Sequence, residues 1–128
     1  MNKETIYDPI RKKRVALTPE ETVRQSIIAE LSEKYGYPLS LMSCEYIIDS
    51  KLINYRGDIV IFDRNGNPLM IIECKAPSVK IGREVFDQIF NYNRHLRVKY
   101  LLISNGSETY IIHINYQTNK IEFLTNIP

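Results

Sequence analysis

Two nearly unbroken apolar runs occupy the middle of the chain, Gly57-Asp58-Ile59-Val60-Ile61-Phe62-Asp63 and Pro68-Leu69-Met70-Ile71-Ile72-Glu73-Cys74-Lys75. Both are rich in β-branched residues and read as strands. The segment between them contains Asn65-Gly66, a strong hairpin signal. With Asn65-Gly66 as the two central turn residues, Asp58 falls directly opposite Glu73 on the same face of the sheet. Lys75, two residues beyond Glu73, shares that face by the strand period. Both faces of this hairpin are apolar: Val60, Phe62, Leu69 and Ile71 on one, Ile59, Ile61, Met70 and Ile72 on the other. A sheet apolar on both faces needs cover on both.

Helical spacing supplies that cover. Thr18-Pro19-Glu20-Glu21 starts a helix, with Thr as N-cap, Pro at the first helical position and Glu at the third. Val23, Ile27, Ile28 and Leu31 then repeat at helical period until Gly36-Tyr37-Pro38 stops it. A second helix spans Arg83 to His95 and buries Val85, Phe86, Ile89 and Leu96. Strands are expected over 41–49, 100–104, 109–115 and 121–124. Residues 1–17 look polar and irregular. The order α-β-β-β-α-β-β-β predicts an α/β fold, a central mixed β-sheet flanked by helices, in one domain over residues 1–128.

Composition narrows the class little. The 128 residues carry a net charge of +2, with 44% hydrophobic and 25% charged positions, ordinary for a globular protein. So mild an excess neither demands nor excludes nucleic acid. Cys44 and Cys74 stand in apolar strands and read as free thiols, which suits a reducing compartment. With no signal peptide and no run as long as a membrane span, a soluble cytoplasmic protein is expected.

The charges at the end of the apolar hairpin carry the chemistry. Two carboxylates and an ammonium in such a place are costly unless partnered or used. By spacing alone, Glu73 and Lys75 also fit a surface ion pair, with Asp58 merely opening a strand. Asp58 followed by Glu73-Cys74-Lys75 resembles the signature of the PD-(D/E)XK nucleases. Gln88 and Tyr92, in Gln88-Ile89-Phe90-Asn91-Tyr92, match the QxxxY motif of RecB-like members. From Tyr7 to about Gly106 the chain is similar to the nuclease domain of the type I restriction enzyme motor (R) subunit. The matching words are Thr18-Pro19-Glu20-Glu21, Arg56-Gly57-Asp58, Ile72-Glu73-Cys74-Lys75-Ala76-Pro77 and Ser104-Asn105-Gly106. Gly57 stands where the family's signature has proline.

The resemblance implies a restriction-endonuclease-like fold and a Mg²⁺- or Mn²⁺-dependent DNA endonuclease. Asp58, Glu73 and the Cys74 backbone carbonyl would hold the metal, and Lys75 would orient the attacking water or offset charge at the phosphate. Gln88 and Tyr92, one turn apart on the second helix with Glu84 a turn earlier, would support the site. A first-helix acid, Glu21 or Glu20, completes the metal site in many relatives, and Glu45 is a weaker alternative. Glu21 has a competing explanation as the third helical residue of a capping box. The run Arg11-Lys12-Lys13-Arg14 can contact phosphate without sequence preference or simply be solvated. Arg56, Lys80, Arg83, Arg94, Arg97 and Lys99 could extend a basic surface. His95 and His113 lack metal-ligand spacing, and no GxxxxGK[ST] stretch is present for ATP. The expected partners are DNA, a translocase or specificity subunit in trans, and a second copy as homodimer, with no membrane. A binding module without catalysis, or a nuclease active only in a larger complex, are the rival readings.

Overall fold

The computed structural model describes the backbone of residues 4–49 and 54–128, and side chains at 4–44 and 58–128. Its elements are β1 (Thr5–Asp8), β2 (Lys13–Ala16), α1 (Pro19–Glu33), a short 3-10 turn (Leu39–Leu41), β3 (Met42–Asp49), β4 (Asn54–Phe62), β5 (Pro68–Cys74), α2 (Arg83–Leu96), β6 (Tyr100–Ser104), β7 (Thr109–Asn115) and β8 (Lys120–Leu124). Strands β3 to β8 form one six-stranded sheet in chain order. Neighbours are antiparallel except β5 and β6, which α2 joins in parallel. This is the mixed sheet flanked by helices that the sequence predicts.

Each helix covers one face. Ile59, Ile61, Met70, Ile72 and Cys74 pack with Val23, Ile28 and Leu31 of α1. Ile71, Leu101, Ile103 and Ile112 pack with Val85, Ile89 and Tyr92 of α2. The two-residue alternation of β5 therefore divides its side chains between two cores. Among the described residues no helix is long and apolar enough to cross a membrane.

Two expectations need correction. The β4–β5 loop is longer than a two-residue turn. Asp63 N–H donates to the Asn67 carbonyl (2.8 Å) and Gly66 N–H to the Asp63 carbonyl (3.1 Å). The central residues are thus Arg64-Asn65, and Gly66 takes the left-handed conformation (φ 85°) that suits glycine. The Asp63 carboxylate braces the loop by accepting from Asn65 and Asn67 N–H, each at 2.9 Å. The expected pairing survives, with Ile59 opposite Ile72 and Ile61 opposite Met70, because the register shifts between Ile61 and Phe62. A bulge absorbs the difference.

The second correction concerns residues 1–17, expected to be irregular. β1 and β2 pair antiparallel from Thr5 with Ala16 to Asp8 with Lys13. Their turn is built by Asp8, whose carboxylate accepts Ile10 N–H (2.8 Å) and Arg11 N–H (3.3 Å) while Lys12 turns left-handed. Strands this short carry too few apolar positions to show an alternation.

Candidate functional site

Asp58 sits one residue beyond the Ile59–Ile72 pair, at the end of the sheet where Glu73 also lies. Both oxygens of its carboxylate are engaged. Oδ1 accepts from Arg24 Nη2 at 2.7 Å, and Oδ2 accepts from the Cys74 N–H at 2.7 Å. Glu73, 5% exposed, pairs through Oε1 with Lys75 Nζ at 3.0 Å. The structure thus brings Asp58, Glu73 and Lys75 to one end of the central hairpin.

Arg24, which no motif in the sequence singles out, is the hub of the arrangement. It is 7% exposed, and it also binds Glu21 Oε1 at 2.8 Å and approaches Glu20 Oε2 at 3.8 Å. Glu21 Oε1 is shared with Arg11 Nη2 at 2.7 Å, and Arg11 pairs in turn with the fully buried Asp8. A chain of alternating charge therefore runs Asp8–Arg11–Glu21–Arg24–Asp58. Burial alone would favour the neutral form of Arg24, but the charges of Asp58 and Glu21 outweigh it and raise its pKa. Arg24 Nε has no hydrogen-bond partner among the described residues. A signal for Arg24 existed: with Ile27, Ile28 and Leu31 it occupies the apolar stripe of α1, a place for a cation only if something holds it.

Glu21 takes part in only half of a capping box. Thr18 Oγ1 accepts the Glu21 N–H at 3.1 Å, so the cap forms. The reciprocal half does not, because the Thr18 N–H donates to the Ala16 carbonyl. The Glu21 carboxylate turns instead to Arg11, Arg24 and Gln25. Glu20, its neighbour, lines an open groove of about 480 Å³ together with Lys75, Ala76, Val79, Glu84, Val85 and Gln88. Gln88 is exposed in this groove, whereas Tyr92 is 1% exposed and lies in the core beneath α2. The helical i,i+4 pair thus splits between the groove and the core.

Desolvation works against the Lys75 ammonium, but the hydrogen bond and charge of Glu73, with Asp58 and Glu20 behind it, raise its pKa. It is a cation at neutral pH. Burial drives both thiols up, Cys44 to about 12 and Cys74 well above its usual value, so neither is a thiolate. Both are free, as expected. In the N-terminal basic run, Arg11 is drawn into the acidic network and Arg14 binds Thr5, while Lys12 and Lys13 are exposed. The run is therefore not one uniform cationic surface. Lys80, Arg83, Arg94 and Lys99 are exposed, and Arg97 lies over the Tyr116 ring at 4.3 Å. The side chains of Glu45 and Arg56 lie outside the described residues.

Hard oxygen donors suit a divalent cation here. At formal charge, Asp8, Glu20, Glu21, Asp58 and Glu73 set against Arg11, Arg24 and Lys75 leave two negative charges. No group of three or more His, Cys, Asp or Glu gathers as a closed cage among the described residues. Mg²⁺ does not need one, since it takes one or two protein carboxylates and keeps several waters. Each oxygen of Asp58 retains a second lone pair beside its present donor.

A mixed six-stranded sheet between two helices, with paired acids and a lysine at its end, makes this an α/β domain. A fragment described as the HsdR subunit of a type I restriction enzyme from Vibrio vulnificus YJ016 shares the fold (TM-score 0.60, 19% identity, covering 88% of this chain). This chain spans about a quarter of that one, 24% of its length. No curated protein matches the chain. The family described as the type I restriction enzyme R protein N terminus matches residues 19–128, and the chain belongs to it.

Proposed function

We propose that this domain is a metal-dependent endonuclease of the PD-(D/E)XK type that hydrolyses phosphodiester bonds in DNA. The observation that carries the reading is the convergence of Asp58, Glu73 and Lys75 at one sheet end, beside a groove that Glu20 and Gln88 also line. Asp58 and Glu73, with the Cys74 carbonyl, would hold a Mg²⁺ or Mn²⁺ ion. Bound there, such an ion polarises the phosphate and lowers the pKa of its water.

The chain's own groups do the rest. Asp58 is aimed by Arg24 on one oxygen and the Cys74 N–H on the other. Lys75, held by Glu73, orients the attacking water or offsets charge on the phosphate oxygens. Gln88, across the groove, offers its amide to a water or to the DNA backbone, and Tyr92 supports it from the α2 core. Glu20 is better placed than Glu21 to complete the site from α1, because Glu21 is committed to two arginines and Gln25. Lys12 and Lys13 remain available for phosphate contacts. The domain's partners would be DNA and the other subunits or domains of a type I restriction system.

The test is cleavage of linear, supercoiled and single-stranded DNA with Mg²⁺ or Mn²⁺, wild type beside Asp58→Ala and Lys75→Ala. Metal-dependent cutting lost in both variants establishes a self-sufficient nuclease. Calorimetric metal binding that needs Asp58 and Glu73, without cutting, indicates a nuclease that requires its assembly. Neither cutting nor metal binding leaves a binding module.

A further inference from the structure

Ser104-Asn105-Gly106 sits at the end of β6, beside the Glu73–Lys75 terminus of β5. Asn105 is 5% exposed and holds two loops at once. Its Oδ1 accepts the Ser107 N–H (2.9 Å) and the Glu108 N–H (2.8 Å), which shapes the β6–β7 turn. Its Nδ2 donates to the Val79 carbonyl at 2.8 Å, 26 residues away along the chain. The turn needs only the first set of bonds, a familiar Asx arrangement. The bond to Val79 serves another segment.

That segment, residues 76–82, links Lys75 to α2. Ser104 holds its start, accepting the Lys75 N–H on its carbonyl at 2.9 Å. Ile81 anchors its far end in the core on the α2 side. Val79, between them, lines the groove whose other walls include Lys75 and Gln88. Gly106 completes the bracket. Its φ of +90° favours glycine, and a Cβ there would meet Val23 Cγ2 of α1 at 3.3 Å. The turn is thereby seated against α1 on one side and the 76–82 loop on the other.

We infer that Asn105 is a positioning residue: through its bond to Val79 it sets the placement of Lys75 relative to Gln88 across the groove. The inference rests on the nuclease reading for its consequence in catalysis, but its structural half can be tested independently. Asn105→Asp is the informative variant. It keeps the oxygen that builds the turn and replaces the donor facing Val79 with a second acceptor.

The Val79 N–H donates to the Ala76 carbonyl (2.9 Å) within the same loop, so freeing the Val79 carbonyl should loosen that turn and speed Val79 amide exchange by about tenfold, with β6 and β7 still protected. Mn²⁺ affinity by calorimetry should stay within about twofold of wild type, because Asp58 and Glu73 stand on strands. The kcat for DNA cleavage should fall by about ten- to a hundredfold, more than KM changes, as expected when reacting groups are misplaced. Unchanged exchange at Val79 overturns the inference, and so does a loosened loop with unchanged kcat. If the variant does not fold, wild-type exchange decides: the Val79, Ser107 and Glu108 amides should open with one common free energy, and independent opening overturns the bracket. A wild type that neither binds metal nor cuts sinks the nuclease reading instead, and exchange alone then judges the bracket.

Discussion

The two helices cover the same sheet by different means. α2 buries Val85, Ile89, Tyr92 and the neutral Asn93. Asn93 is spent on structure: its Oδ1 accepts the Val98 N–H at 2.8 Å and its Nδ2 donates to the Tyr116 hydroxyl at 2.9 Å. α1 buries Val23, Ile28 and Leu31 but also Glu21 and Arg24, two full charges on its core-facing side. Burying an ion pair costs desolvation that an apolar pair of similar volume avoids. α2 shows that this sheet can be covered without such charges. The charges of α1 lie where the helix meets Asp58, which is the proposed metal site.

The sharpest way to break this contrast is to remove the cation. Arg24→Met should lower unfolding stability by about 3–5 kcal/mol in chemical denaturation, since Glu21 and Asp58 lose their shared partner. Mn²⁺ should recover part of the loss by supplying charge to Asp58. A near-neutral result would mean that the network is solvated and that α1 differs from α2 in appearance only.

Ile89→Ala, in the fully buried stripe of α2, should cost about 2–4 kcal/mol through lost transfer energy and a cavity. Metal affinity should be unaffected, because α2 does not hold the carboxylates. An equal loss of metal binding from this variant would erase the division of labour between the two helices.

The smallest effect is in acid. The buried Asp8 feels desolvation, which raises its pKa, but Arg11 and the N–H donors of Ile10 and Arg11 overcome it, so the folded value lies below 3.8. A depressed carboxylate contributes stability above its unfolded pKa and loses it as pH falls through the folded value. The acid limb of a pH–stability curve should therefore flatten in Asp8→Asn. The Asp8–Arg11 end of the α1 network would be irrelevant if the limb kept its slope.

Much of this arrangement was legible in the residue pattern, and the failures are instructive. β4 and β5 declared themselves by apolar runs because both faces of those strands are buried. Their register follows from the pattern even though the turn differs, since the bulge near Phe62 restores the pairing that a tight Asn65-Gly66 turn would impose. The β1–β2 hairpin left no trace, for it depends on Asp8 and Arg11 binding each other and Arg11 reaching α1. Glu21 looked like half of a capping box, and only the placement of Arg11 and Arg24 shows where its carboxylate goes.

The sequence by itself determined the order of most elements, the two-faced apolar sheet and the acid–lysine set at its end. Those follow from periodicities of two and 3.6, which are local and survive without a partner in view. Tertiary structure alone decided that Arg24 joins α1 to Asp58, that Gln88 faces the groove while Tyr92 enters the core, and that Asn105 ties two loops together. The first and the last depend on a polar group finding its partner across a long stretch of chain. Desolvation makes such pairing obligatory in the folded protein, but no local pattern records which partner it will be.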